Sequence, residues 1–109
     1  MAQFDVHRNK GPLRDAIPFV VLVQSGQFDR YRRRLVVPLV LRSTLPVSTP
    51  TVGARMNPQF TLLGSDVVLH PLDMVSVAVD QLGERVGSLA EQGQQITDAL
   101  DELLTRSWG

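Results

Sequence analysis

Residues 88–109 read SLAEQGQQITDALDELLTRSWG, and their spacing decides the architecture. Ile96, Ala99, Leu100, Leu103 and Leu104 fall at i, i+3, i+4, i+7 and i+8, the spacing of one apolar helix face. Gln94, Gln95, Thr97, Asp98, Asp101 and Glu102 supply the polar complement. Ser88 reads as the N-cap, with Glu91 three residues on as its capping-box partner, so a helix is expected over about residues 88–107. Gly93 costs about 1 kcal/mol against alanine in a helix, and irregular first turns are expected there. Trp108 is the only tryptophan and stands beside Gly109. Two readings of it are open: a ring folded back onto the domain, or a partner-binding anchor, because indoles are enriched at interface hot spots.

Upstream, the pattern changes to strands. Gln3-Phe4-Asp5-Val6 alternates polar and apolar and reads as a first strand. His7 to Asp15 (HRNKGPLRD) is basic and broken by Gly11-Pro12, as an exposed loop would be. Ile17 to Val23 and Arg34 to Leu41 are strongly apolar strands separated by a polar connection, Gln24 to Arg33. Pro38 argues for an edge or a bulge, since proline cannot donate to a ladder. Ser43 to Asn57 is rich in Ser, Thr, Pro and Gly and reads as an irregular insertion with at most a short hairpin. Gln59 to Leu63 and Val67 to His70 form a hairpin about Gly64-Ser65-Asp66. Met74 to Val79 alternates at period two, and Leu82 to Val86 reads as a connector. Many antiparallel strands followed by one helix imply a single α+β domain over residues 1–109, mainly antiparallel β, or a partly closed barrel.

Composition narrows the chemistry. The chain has no cysteine and two histidines, His7 and His70, so disulfides, thiolate nucleophiles and cysteine or histidine metal clusters are excluded. No apolar run approaches the ~20 residues of a membrane span, and no signal layout opens the chain, so a cytoplasmic protein is expected. Net charge is zero but uneven. Residues 1–55 carry nine basic side chains against three acids, and residues 56–109 carry two against eight. Such a split suits two differently charged partners, or halves that interleave and cancel.

No GxSxG, HExxH or phosphate-binding Gly-rich loop is present, and no catalytic triad can be assembled. His70 reads as a structural residue at a strand end, and His7 as solvated. The run Arg30-Tyr31-Arg32-Arg33-Arg34 is the strongest electrostatic feature. Three uses fit it: phosphate contacts plus stacking on nucleic acid, bidentate pairing with an acidic protein segment, or a solvated loop.

Several segments taken together resemble the CcdB family of plasmid-addiction toxins, the gyrase poisons of toxin–antitoxin pairs. They are Gln3-Phe4-Asp5-Val6, Val23-Gln24-Ser25, Val36-Val37-Pro38-Leu39 and Asp73-Met74-Val75-Ser76-Val77-Ala78-Val79. Gly83-Glu84-Arg85-Val86-Gly87-Ser88-Leu89 and Ile96-Thr97-Asp98-Ala99-Leu100 complete the set, with the order kept from end to end. The resemblance implies a CcdB/MazF-like partly closed SH3-like barrel with a small side sheet and one C-terminal helix. It also implies a cytoplasmic homodimer that does no chemistry, needs no cofactor and binds no nucleic acid or membrane directly. Its targets would be the A subunit of DNA gyrase, held on cleaved DNA, and a partly disordered, acidic CcdA-like antitoxin that folds on binding.

Carried over by position, the resemblance assigns gyrase contact to Gln27, Phe28, Asp101, Thr105, Trp108 and Gly109. In the family, paired tail indoles grip a gyrase arginine, a cation–π clamp worth about 0.5–2 kcal/mol per face. The tail departs from that pattern. Counted without a gap, the tryptophan position falls on Thr105, Trp108 lies three residues later, about 4.5 Å along a helix axis, and the final isoleucine is absent. The basic loops, with Arg8, Lys10, Arg14, Arg30, Arg32 and Arg33, are the expected antitoxin-docking surfaces. Two other readings of the resemblance are a MazF-like endoribonuclease toxin and a decayed, non-toxic homologue that still binds antitoxin.

Overall fold

In the computed structural model, which describes residues 1–46 and 54–106, the longest strand organises the others. Strand β3 (Arg33–Leu41) pairs along one side with β2 (Phe19–Leu22). Its other side is shared. Leu39 to Leu41 pair with β5 (Ser65–Leu69), and Arg33 to Val36 pair with β6 (Val75–Ala78). With β4 (Gln59–Leu62), β1 (Asp5–Arg8) and β7 (Arg85–Ser88), the order is β4-β5-β3-β2-β1-β7, all pairs antiparallel. The result is a curled half-barrel closed on one side by a C-terminal helix, as expected. The side sheet is a branch of the main sheet, joined to it through β3.

Pro38 is therefore central, not at an edge. Its carbonyl accepts from His70 N at 3.1 Å. In an extended strand a residue's N and C=O face the same side, so the missing donor points at the junction where β5 gives way to β6. Nothing there needs a hydrogen bond from residue 38, and the proline is tolerated without loss to the ladder.

One face of the sheet carries Val21, Val37, Leu39, Val67 and Leu69, which close over Ile96 and Ala99 of helix α1 (Gly93–Asp101). Each fully buried Val, Leu or Ile contributes about 1.5–3 kcal/mol relative to exposure. The other face carries a smaller cluster, Val20, Leu22 and Val36, against Val77 and Leu82.

Several sequence expectations are corrected. The first strand begins at Asp5, so His7 and Arg8 belong to β1. His7 is buried, with Nδ1 donating to Gly83 O at 3.0 Å. The end of the supposed connector, Arg85 and Val86, opens β7, a strand of four residues with one glycine that is too short to announce itself. The hairpin turns on Leu63 (φ 49°) and Gly64 (φ 79°), because Leu62 already pairs with Ser65. A leucine in the left-handed region costs about 1–3 kcal/mol, whereas asparagine tolerates it. Leu63 is largely exposed and loses little by replacement. Leu63→Asn is accordingly expected to raise the thermal midpoint by about 3–6 °C, and an unchanged or lower midpoint by calorimetry would contradict the turn assignment.

The helix also differs from its reading. Ser88 ends β7, and its Oγ accepts from Ala90 N at 3.1 Å in place of a capping box with Glu91. A 3-10 turn (Ala90–Gln92) leads into α1, and a wider π turn (Glu102–Arg106) follows it. Gly93 is explained by its neighbour: a Cβ there would lie 2.6 Å from Phe4 Cε2. Phe4 itself sits at φ 70°, its N donating to Leu22 O at 2.7 Å and its O accepting from Leu89 N at 2.9 Å. Much of the 43–57 insertion, residues 47–53, lies outside the described residues.

Candidate functional site

The helix end was expected to continue its apolar stripe through Leu103 and Leu104. Ile96 and Ala99 are fully buried and Leu100 packs against the core, but Leu104 is 66% exposed. The reason is the π turn: five residues per hydrogen-bonded turn instead of four rotate the later side chains off the α-helical face. Thr105 Oγ1 donates to Asp101 O at 2.9 Å, which ties those two candidate residues into one turn. Arg55 reaches the same helix, 3.5 Å from Asp98 Oδ1 and 3.3 Å from Glu102 Oε2. The turn that presents Arg55 is anchored by buried Asn57, whose Nδ2 donates to Leu69 O at 3.0 Å. Trp108 and Gly109 lie outside the described residues.

Gln27 and Phe28 sit together on a 3-10 turn, Gly26–Phe28, started by Ser25, whose Oγ accepts from Gln27 N at 3.4 Å. Both are exposed. The Phe28 ring meets Tyr31 with centroids 5.8 Å apart. The loop that carries them is held by a residue the sequence placed in the basic run. Arg34 is 1% exposed, and its guanidinium pairs with Asp29. It also donates to Gln24 Oε1 at 3.3 Å, Gln24 O at 3.1 Å and Ser25 O at 2.9 Å. Arg34 is thus the internal strut of the loop and not part of the basic surface. The available signal was its position at the head of an apolar strand, where a charge must either leave or be fully paired.

Asp29 is held below the usual carboxylate range, first by the hydrogen bond from the Met1 ammonium and then by Arg34. A depressed folded pKa gives stability that is present above the ordinary value of 3.8 and lost as pH falls through the folded one. Thermal midpoints measured down an acid series should fall for the parent protein and fall less for Asp29→Asn. Equal slopes would contradict the pairing.

The basic candidates divide into two groups. Arg8 and Lys10 stand on the rim of a groove of about 220 Å³ with an aliphatic floor of Ile17, Val20, Val36, Val75, Val77 and Leu82. Arg8 is shared with Glu84, at 2.8 Å, and with the Phe19 ring, 6.0 Å from its centroid. Arg14 lies beside this group, its Nη1 3.5 Å from Gly11 O. Arg32 and Arg33 line a second hollow with Phe28 and Tyr31, and Arg30 and Gln27 line another that Tyr31 also borders. Phe28 and Arg32, assigned to different partners by the resemblance, therefore share one surface.

No three-residue cluster of metal-ligating side chains occurs among the described residues. Neither the groove nor the Phe28 hollow is lined by a histidine or a carboxylate. His7 Nε2 and His70 Nε2 are buried without a hydrogen-bond partner.

Comparison with known proteins bears on the whole chain. No curated protein sequence matches it. Among solved structures, an endoribonuclease in complex with its cognate antitoxin from Mycobacterial species superposes with a TM-score of 0.74 at 13% identity. The match covers 100% of this chain and 99% of that one, and at such identity the likeness is one of fold. The family model described as CcdB protein matches residues 3–106, from the first strand through the last described turn of the helix. With its half-barrel, its terminal helix and that end-to-end match, the chain belongs to the CcdB family, the toxin side of toxin–antitoxin pairs.

Proposed function

We propose that the protein poisons DNA gyrase without catalysis, binding the A subunit as a homodimer through the helix end and tail and holding the enzyme on cleaved DNA. The observation that carries this reading is the family match over residues 3–106, which includes the helix that would present the tail. Local geometry supports it. Asp101 and Thr105 form one turn, Leu104 is exposed within that turn, and Arg55 fixes the helix from the side. Phe28 and Gln27 offer a second exposed contact. An isologous dimer would bring two Trp108 side chains to one gyrase group.

A cognate CcdA-like antitoxin would neutralise it by laying an acidic, amphipathic segment in the groove below Arg8 and Lys10, where an aliphatic floor meets a cationic rim. Arg14 would extend that rim. A groove lined by neither histidine nor carboxylate supports binding over the endoribonuclease reading, which the fold likeness alone would also allow.

The test is gyrase supercoiling with purified parent protein and Trp108→Ala. The parent should inhibit at micromolar dimer, and the variant should lose about ten-fold or more in potency, the scale of a clamp residue. Sequence-specific cleavage of RNA with gyrase unaffected would overturn the proposal.

A further inference from the structure

We infer that the loop around Tyr31 is a stacking shelf for single-stranded nucleic acid, a ligand beyond gyrase and antitoxin whose site borders the proposed gyrase contact at Gln27 and Phe28. Tyr31 is 62% exposed and Phe28 39%. Their rings lie 5.8 Å apart and inclined by 34°, so they form a bent apolar ledge. Both rings border the hollow of about 440 Å³ bounded by Arg32, Arg33, Leu35 and Ser76. Tyr31 also borders the hollow holding Gln27 and Arg30.

The charge around the ledge is of one sign in effect. Asp29 is the one carboxylate lining either hollow, and both its oxygens are taken, Oδ1 by Arg34 and Oδ2 by the Met1 ammonium at 2.8 Å. The side chains of Arg30 and Arg32 have no hydrogen bond or ion pair among the described residues, and both are exposed. Arg33 spends Nε and Nη2 on Ser76, which aims its guanidinium along the hollow. Exposed aromatic faces between free guanidiniums match what a single strand offers: flat bases to stack, and phosphates at the spacing of the backbone. An acidic peptide would satisfy the arginines but leave the rings largely unused. The aliphatic groove at Arg8 and Lys10 has the opposite character and suits a peptide better.

The experiment is fluorescence anisotropy with a labelled oligothymidylate of about twelve residues, compared with a duplex of equal length and with polyglutamate as competitor. Binding should be detectable at about 50 mM salt, favour the single strand, and weaken with a log–log salt slope of about −2 for three arginine contacts. Tyr31→Ala, at an exposed position that leaves the Arg34 strut intact, should weaken binding about ten-fold at every salt concentration. The double variant Arg30→Gln/Arg32→Gln should flatten the slope by about 1.4. Polyglutamate competing at equal charge, together with Tyr31→Ala binding as well as the parent, would assign the surface to acidic polypeptides and overturn the proposal. No binding of the oligonucleotide at about 50 mM salt would overturn it as well. Gyrase inhibition is scored separately, so loss of one activity leaves the other legible.

Discussion

Arg34→Ala is expected to cost about 3 kcal/mol of folding stability, a large share of the roughly 5–15 kcal/mol available to a domain of this kind. The cost arises on three counts. The side chain is fully buried at the head of β3, so its removal leaves a void. The carbonyls of Gln24 and Ser25 lose their donors. The Asp29 carboxylate loses the partner that closes the loop from below. Arg34→Lys should be intermediate, because one ammonium keeps the charge but cannot reach four acceptors as a planar fork does. Urea unfolding of the three proteins decides it, and an alanine variant within about 0.5 kcal/mol of the parent would contradict the strut. Because Phe28 and Tyr31 ride on this loop, the same variant should also lose function at that surface.

Gly83→Ala should do comparable damage by a different route. A Cβ at that position would lie 2.5 Å from Arg8 O and 2.9 Å from Arg8 Cβ. The obstacle is backbone, so the segment before β7 must move away from β1. That movement stretches Gly83 N to Arg8 O, now 3.1 Å, and Arg8 N to Glu84 O, now 2.9 Å. It also pulls Gly83 O from the buried His7 ring. Overpacking of this sort costs about 1–3 kcal/mol before the hydrogen bonds are counted. Gly87 supplies the control: a Cβ there meets nothing within 4 Å, although it lies four residues further along the same segment. Gly87→Ala should leave the urea midpoint almost unchanged while Gly83→Ala lowers it. Equal effects would contradict the close approach.

Much of the fold was legible because it follows periodicity. The two apolar runs that became β2 and β3 and the stripe of Ile96, Ala99 and Leu100 were visible in the sequence, and their packing against one another is what the structure contains. What escaped notice depended on partners distant in sequence. β7 exists because β1 offers an edge to Arg85–Ser88, and four residues with one glycine carry no local strand signal. His7 looked solvated because its neighbours are basic, yet it is buried against Gly83, 76 residues away. Pro38 pointed to an edge because a proline's missing donor usually faces solvent; here it faces a junction between two strands. The π turn has no apolar-period signature and moved Leu104 into solvent.

The candidate site was legible in parts. The exposure of Gln27, Phe28, Arg30 and Arg32 followed from a polar, turn-forming stretch. The division of the basic residues between an aliphatic groove and an aromatic ledge did not, since neither floor is contiguous in sequence. Arg34 joined the basic run on the page, and only the depth of β3 separates it from Arg32 and Arg33.

The most direct test of the central claim is a cleavage assay with purified gyrase, supercoiled DNA and the protein, stopped with denaturant to reveal trapped breaks. Linear DNA should accumulate with parent protein at micromolar dimer, vanish when a cognate acidic antitoxin is added in equimolar amount, and be strongly reduced with Trp108→Ala. Folded, dimeric protein that leaves supercoiling intact and yields no linear product at that concentration would contradict gyrase poisoning.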